Sequence, residues 1–439
     1  MKNIKFYCSI LLAKSLAWGL KITKLSGGTA IIGLITMKTN KNFLKDCNQF
    51  IKNKINVTGT NGKTTTSSLI THLISNVKYN VINNSKGANM PTGIANALAT
   101  ELNPLKIYDY SVIETDEAYL TEIYNHLEAD YLLVTNLFND QTDRFSGVEV
   151  TKKYIQNAID KKKNLKLILN ADDPVVASLN NNEKIYYGVE NIYYANENLK
   201  KQLTNEEIHN CNCGKELTYS KKFYAHQGHY NCSCGFERPN PKYNAEIILH
   251  NEFSEILLNN KKYHVPLVGL YNAYNALAAI SLCLELNIEN IEENIKTFKV
   301  ASGRGEVKYL NNKKVMIQLI KNPAGTNEVL KTIDKDSNIL IAINENFEDG
   351  RDISWIFDTN FELINDIKND IIVSGTRAKD LAKRLEQAGI AQNKIIIIDN
   401  LTKAIKHLDK ISLGNITILP SYTVLLQLNK SNKLKSSAT

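Results

Sequence analysis

The stretch INVTGTNGKTTTSSLI, Ile55 to Ile70, constrains the fold more than any other in the chain. It passes from an apolar, strand-like run through a turn holding Gly59 and Gly62 into Lys63, Thr64 and Thr65, at the head of a plausible helix. Glycines let backbone amides close on phosphate oxygens, and a helix start presents the positive end of its dipole. Lys63 adds a point charge, and the Thr64 hydroxyl suits Mg²⁺. The spacing is shorter than the common GxxxxGK[ST] loop, because Val57 and not glycine stands four residues before Asn61. Strand, loop and helix in this order still predict a phosphate site built from Gly59, Thr60, Asn61, Gly62, Lys63, Thr64 and Thr65, with Lys63 an exposed loop residue outside the core. The competing reading is a glycine turn beside a solvated lysine.

A loop of this kind belongs at the carboxyl edge of a parallel sheet, and the surrounding sequence supplies one. Between about residues 52 and 175 the runs KINVTG, YNVINN, YSVIET, YLLVTN and LKLILN alternate with helical stretches, each run ending in a polar or glycine-rich loop. A less regular zone from Asn191 to Asn244 carries four cysteines; EILLNNKKYHVPLVG then reads as a hairpin and AYNALAAISLCLEL as a helix. A second alternation follows from Lys314 in KVMIQLI, NILIAIN, DIIVSG, KIIIID and ITILP. A chain of 439 residues is too long for one ordinary core. The expectation is an α/β protein with a helical segment over 1–45, a central nucleotide-binding domain over 46–305 and a C-terminal α/β domain over 306–439. The central domain carries an insertion at about 200–240, and the boundary lies near Ala301 to Asn312, where ASGRGEVKYLNN concentrates glycine and charge. The tail NKSNKLKSSAT reads as disordered.

The net charge of +8, from 53 basic and 45 acidic residues, reads as a mild and dispersed bias, compatible with anionic substrates or a membrane surface. No basic stripe marks a nucleic-acid binder. Seven cysteines, an odd number with tight local pairs, argue against a disulfide framework and for a reducing, cytoplasmic setting. The opening MKNIKFYCSILLAKSLAWGLKITKL mimics a signal peptide, but Lys14, Lys21 and Lys24 interrupt it and no cleavage site follows. No run of about 20 apolar residues predicts a membrane span, so an amphipathic helix packed on the next domain is expected.

Cys211, Cys213, Cys232 and Cys234 form two pairs with 18 residues between them, and a glycine follows each second cysteine. This is the pattern of two knuckles around a tetrahedral zinc ion, although Cys211 and Cys213 are spaced C-x-C where C-x-x-C is usual. His209, His226 and His229 lie nearby, as substitute ligands or as ordinary loop residues; a metal-free hairpin of thiols is the alternative to the metal site. Further polar clusters sit at strand ends. SVIETDEAYL offers Glu114, Asp116 and Glu117 for Mg²⁺, or as helix caps; TNLFNDQTDRF offers Asn136, Asp140, Gln141, Asp143 and Arg144. LNADDP offers Asn170, Asp172 and Asp173, equally a turn with an Asx cap. GLYNAYNALAA adds Asn272 and Asn275, and SGRGE adds Arg304 and Glu306.

The order GTNGKTT, acidic strand end, TNxxxDQxDR, NADDP, GxYNxxNxxAA and GRGE resembles the Mur ligase family over residues 50 to 310 or so. NNSKGANMPTGI, KNPAGTNEVL, DGRDISWIFD, SGTRAKDLAKRLEQAG and LPSYTVLL resemble its MurT group, ligase subunits of lipid II isoglutaminyl synthases. The resemblance implies a Mur-ligase-type P-loop ATPase domain with an inserted zinc ribbon, and a Rossmann-like C-terminal domain. It also implies roles. Gly59 to Thr65 would cradle ATP, Thr64 and Glu114 would hold Mg²⁺, and Asn272, Asn275 and Arg304 would face the nucleotide. Gln141 stands where amino-acid-adding members have histidine; an amide cannot titrate, so it positions a ligand rather than acting as a base. Lys152 and Lys153 lie near the place of the family's modified lysine without aligning to it.

The activity so implied is ATP-dependent conversion of the D-glutamate α-carboxyl of lipid II to an acyl phosphate and its amidation by ammonia, at the inner face of the membrane. No cysteine here lies in a GxCxG-like nucleophile turn, so ammonia must come from a partner, which the resemblance names as a GatD-type glutaminase. In NENFEDGRDISW, Asp352, with Asp349 as its competitor, would orient that partner's histidine, Ser354 and Trp355 anchoring the loop. An amino-acid-adding ligase and a non-catalytic nucleotide-binding scaffold remain the alternatives.

Overall fold

A computed structural model describes the chain except residues 1–3, 24–28, 85–87, 139–146, 163, 181–182, 196–209, 300–302, 347–348, 350–351, 413, 432 and 436–439. The apolar runs of the first alternation become β1 (Ile51–Thr58), β2 (Val81–Asn83), β3 (Tyr108–Glu114), β4 (Tyr131–Val134) and β5 (Lys166–Asn170). They are followed by β6 (Lys184–Tyr194), the hairpin β7 (Thr218–Tyr224) and β8 (Gln227–Asn231), then β9 (Tyr243–Leu249), β10 (Ser254–Leu258) and β11 (Lys261–Val265). Except for β7 and β8, these strands form one sheet in the order β11-β10-β9-β6-β5-β4-β1-β3-β2, parallel from β2 to β9 and antiparallel beyond.

Such continuous apolar strands need cover on both faces. One face packs under the helices Lys63–Ser75 and Leu270–Glu285, joining Val57, Leu69, Leu73 and Leu277 in one core. On the other face lie the helices Pro91–Glu101 and Val148–Asp160. The N-terminal segment forms two helices, Ile4–Thr23 and Thr29–Thr39, whose Phe6, Ile10, Ala13 and Ile32 enter this second core. Among the described residues, no helix is long and apolar enough to cross a membrane.

The sheet order locates the site. The chain leaves β1 for β2, beyond β3 on one side, and comes back to β4 on the other, so the strand order reverses at β1. Crevices open at the carboxyl ends of strands at such a reversal.

The second alternation forms its own sheet from β12 (Arg304–Leu310), β13 (Lys313–Gln318), β14 (Asn338–Ala342), β15 (Ile371–Ser374), β16 (Ile395–Ile397) and β17 (Ile416–Pro420). Its order is β12-β13-β17-β14-β15-β16, parallel except for the β12–β13 hairpin. The hairpin β7–β8 is looped out between β6 and β9, which are neighbours in the large sheet.

Candidate active site

At the end of β1 the chain turns through Gly59 (φ 127°) and Gly62 (φ 86°) into the helix Lys63–Ser75. A Cβ at position 62 would run into the Asn275 carboxamide, so glycine is required by backbone conformation and by space. Gly62 is the N-cap and has no side chain to offer, which leaves the first-turn amides of the helix directed at an incoming acceptor. The loop hangs from the end of β4. Thr60 N donates to Asn136 O (2.8 Å) and Asn61 N to Asn136 Oδ1 (2.9 Å), while Asn136 Nδ2 and Thr135 Oγ1 both donate to Asn61 O (3.0 and 2.7 Å).

Lys63 departs from expectation: it is buried, not exposed. Its Nζ meets Glu117 Oε1 at 2.8 Å and donates to Gly59 O, folding the side chain back over its own loop. Gly59 N donates to the same Glu117 oxygen (3.0 Å). Burial opposes the ammonium charge, but Glu117, with Asp116 and Glu114 close by, outweighs it and holds Lys63 above the ordinary lysine range. Sequence reasoning missed this because a GKTT loop looks open; a short turn, Glu117–Tyr119, brings one of three neighbouring carboxylates onto the lysine. Asp116 is instead a cap, accepting from Ala118 N (3.1 Å).

Glu114, the last residue of β3, is 3% exposed. Asn89 Nδ2 donates to its Oε1 at 3.3 Å, while its buried Oε2 has no hydrogen-bond donor among the described residues. A buried carboxylate oxygen without a donor is unfavourable unless a cation completes it. The Thr64 hydroxyl faces the same loop and accepts from Arg304 Nη2 at 3.4 Å. Carboxylate and hydroxyl oxygens are donors suited to a hard divalent cation, so these residues fit Mg²⁺.

Arg304 comes from β12, so the second sheet reaches the loop, and two residues that the sequence reading did not single out reach it as well. Lys321 Nζ donates to Thr60 O (3.3 Å), and Asn322 Nδ2 donates to Asn61 Oδ1 (3.1 Å). Asn322 also caps the helix Pro323–Lys331 through Gly325 N, so the Asn-Pro pair in KNPAGTN was the available signal. Asn272 and Asn275 are buried on the helix Leu270–Glu285, joined by an Nδ2 to Oδ1 bond of 3.4 Å. Tyr271, Asn272, Arg304 and Gln318 line a cavity of about 210 Å³ between the two sheets. Glu306 turns away from it, accepting from Gly303 N and pairing with Lys308.

The NADDP segment is a structural node. Asp173 Oδ1 caps the short helix Pro174–Ala177 through Val175 and Val176 amides, as an Asx cap would, and its Oδ2 accepts from Leu137 N (2.9 Å) and faces His226 Nε2 (3.2 Å). Burial raises the Asp173 pKa, but His226 and these amides outweigh it and hold the group below the usual carboxylate range. Asp172 binds Arg238 Nε (2.6 Å), Val189 N (2.7 Å) and Tyr274 Oη (2.8 Å). His226 is therefore committed to Asp173, and His229 Nε2 lies 2.8 Å from Val189 O, so neither stands in for a cysteine; His209 lies outside the described residues.

The four cysteines converge. Their sulfurs lie within 4.8 Å of one another, with Cys211 to Cys234 and Cys213 to Cys232 both 3.6 Å apart. The second pair is also C-x-C, and the two loops match: Cys211 N donates to Lys215 O and Cys232 N to Phe236 O, both at 2.7 Å, while Gly214 and Gly235 take positive φ. A set of four thiolates at this separation fits a soft, tetrahedral ion such as zinc. Lys152 reaches Asn212 within the first knuckle (3.3 Å).

In the second sheet, Asp349 is engaged by Thr423, whose amide and hydroxyl donate to its two carboxylate oxygens. Asp352 lies half-exposed, its Oδ1 accepting from Ser354 N (2.8 Å) ahead of the short helix Trp355–Asp358. Asp140, Gln141, Asp143 and Arg144 lie outside the described residues.

Residues 57–216 match the Mur ligase middle domain, and 319–425 the MurT ligase C-terminal domain. The "Lipid II isoglutaminyl synthase (glutamine-hydrolyzing) subunit MurT" of Staphylococcus aureus (strain COL) is 35% identical over 417 residues, 92% of this chain and 93% of that one. The chain belongs to the MurT group of the Mur ligase family. The namesake subunit of Streptococcus pneumoniae (strain ATCC BAA-255 / R6) is 31% identical, over 97% of this chain and 96% of its own. In fold, this MurT-group chain resembles a pseudomurein peptide ligase type C from Methanothermus fervidus (TM-score 0.68, 22% identity, 93% of this chain and 84% of that one). It also resembles MurF from Acinetobacter baumannii (TM-score 0.65, 14% identity, 92% and 80%). The fold is thus the Mur ligase fold, α/β with mixed sheets.

Proposed function

We propose that this chain is the ATP-dependent ligase subunit of a lipid II isoglutaminyl synthase, amidating the D-glutamate α-carboxyl of the stem peptide with ammonia from a GatD-type glutaminase. The observation that carries the reading is the convergence on one glycine loop of Lys63, Thr64, Glu114, Asn275 and Arg304, drawn from both sheets, in a chain 35% identical to such a subunit. ATP phosphates would compete with Glu117 for Lys63 and the Gly59 amide, and the cavity beside Tyr271, Asn272 and Arg304 would take the nucleoside. Mg²⁺ held by Thr64 and Glu114 would supply charge neutralisation at the phosphates.

A carboxylate is a poor electrophile. Attack of its oxygen on the γ-phosphorus releases ADP and leaves an acyl phosphate; ammonia nitrogen then attacks the acyl carbon, a proton is lost and inorganic phosphate departs. Lys63, held protonated by the carboxylates around it, stabilises the charge that develops on the transferred group. Ammonia must be delivered, because at neutral pH it is mostly ammonium, and Asp352 is the residue assigned to the partner's histidine. On this reading residues 46–305 hold most of the ligase site and 306–439 dock the partner, with β12 crossing that boundary, and a zinc ion would be structural in the insertion.

The test is to purify the chain with a co-expressed glutaminase and assay amidation of lipid II with glutamine or ammonium salt, with and without ATP. The expected result is one amide per ADP released. Addition of an amino acid in place of ammonia, or nucleotide binding without substrate-dependent turnover, would overturn the reading.

A further inference from the structure

The positive charge of this chain is not dispersed as its overall composition suggests. Residues 1–45 hold eight lysines and no arginine, aspartate or glutamate, leaving 45 basic and 45 acidic residues in the rest. The net +8 therefore resides in residues 1–45, the segment that contains the helices Ile4–Thr23 and Thr29–Thr39. Those helices also carry seven of the eighteen large apolar side chains exposed among the described residues.

On the helix Ile4–Thr23 the exposed stripe runs at alternating spacings of four and three through Ile4, Cys8, Leu11, Ser15, Trp18 and Ile22, with Leu11 67% and Trp18 69% exposed. On the helix Thr29–Thr39, Ile31 and Leu34 are exposed at 59% and 45%. This is not a loosely attached segment. The opposite faces enter the core through Ile10, Ala13 and Ile32, and the Phe6 ring stacks on Phe43 (5.4 Å) and Phe50 (5.2 Å). A core-anchored pair of helices thus holds leucine, isoleucine and tryptophan outward, and Lys5, Lys38, Lys41 and Lys45 of the same N-terminal segment are exposed as well.

We infer that this face is a membrane-docking surface for an anionic lipid bilayer. Aliphatic side chains enter the acyl boundary, tryptophan sits at the headgroup level, and lysines reach up to lipid phosphates. Charge complementarity selects the occupant: a second copy of this chain would bring a second +8 surface against the first, whereas an anionic leaflet attracts each lysine. The inference does not depend on which reaction the glycine loop serves.

The experiment is sedimentation of the full chain with vesicles of phosphatidylcholine alone or with one third phosphatidylglycerol. Binding is expected to anionic vesicles, weakened about tenfold or more by 0.5 M salt, as screening requires. Trp18 emission should shift to the blue and be quenched by brominated acyl chains. The variant Leu11→Asp with Trp18→Asp should lose binding with an unchanged melting temperature; Lys5→Glu with Lys38→Glu and Lys41→Glu is the second test should the first misfold. No binding to either vesicle, or equal salt-independent binding to both, would overturn the inference. So would light scattering that shows a dimer abolished by Leu11→Asp in a protein that ignores vesicles.

Discussion

Glu117 and Asp352 each follow a parallel strand, β3 in the large sheet and β14 in the small one, and they meet opposite surroundings. Glu117 is 9% exposed and bound to Lys63; Asp352 sits half-exposed at the rim, turned onto the amide of Ser354. A charge taken out of water needs its counter-charge from the same chain, so Lys63 and Glu117 form an electrostatic unit that closes within one protein. A half-exposed carboxylate stays partly hydrated and can be reached from outside, which is what the role proposed for Asp352 requires. The difference teaches that the ligase site should fail as a whole when one member is removed, whereas the coupling site should fail only for the partner's substrate.

The sharpest way to break this comparison is Asp352→Asn, which keeps shape and removes charge. Glutamine-driven amidation should fall by up to about 10⁴-fold, the scale for the acid of a triad. Amidation with excess ammonium salt should persist, and the complex with the glutaminase should still form on gel filtration. Equal loss in both assays would put Asp352 in the ligase site.

Lys63→Ala should cut both activities by about 10²–10³-fold or more, since in the proposed reaction its charge would act on the transferred phosphoryl group. Because Lys63 is buried, the same change leaves Glu117 without its partner, and breaking such a pair costs about 3–5 kcal/mol. Adding Glu117→Gln should restore most of the melting temperature and none of the turnover. A Lys63→Ala protein as stable as the parent would show that the pair does not hold the loop.

Much of this was legible beforehand. The strands were announced by apolar runs ending in polar loops, and the cysteine pairs by spacing, because both signals are local in sequence. What escaped is set by contacts between distant segments: which of Glu114, Asp116 and Glu117 meets Lys63, the hanging of Asn61 from Thr135 and Asn136, and the approach of Lys321 and Asn322 from the second sheet. His226 shows the same limit. It looked like a loop residue near a metal, and only the fold sets it beside Asp173 and the Phe138 ring, whose centroid lies 4.8 Å from its own.

Cys232→Ser probes a region that stands apart from both sites. Metal analysis should find about one zinc per parent chain and none in the variant, since binding at such sites is worth on the order of 10 kcal/mol. The effect on amidation should stay below about tenfold, because Gln227, Gly228 and Arg238 are tied to Asn170 and Asp172 independently of the sulfurs. A parent protein without zinc would remove the metal from the account.

The smallest effect is expected at Asp349, and it tests the division of labour within the DGRD loop itself. Thr423 donates both its amide and its hydroxyl to this carboxylate, at the start of the helix Tyr422–Lys430, so Asp349 acts as a tether between the loop and that helix. Asp349→Asn keeps one oxygen for the amide and loses the charge. A weakened cap of this kind costs about 0.5–2 kcal/mol, which lowers the melting temperature by only a few degrees in a body of this size. Glutamine-driven amidation should stay within about fivefold of the parent, against the collapse expected for Asp352→Asn, since a tether orients the loop without meeting the partner's histidine. The paired measurement is decisive. If Asp349→Asn abolishes glutamine use while Asp352→Asn leaves it intact, the two residues exchange roles, and the contact with Thr423 becomes a resting arrangement that the glutaminase displaces on docking.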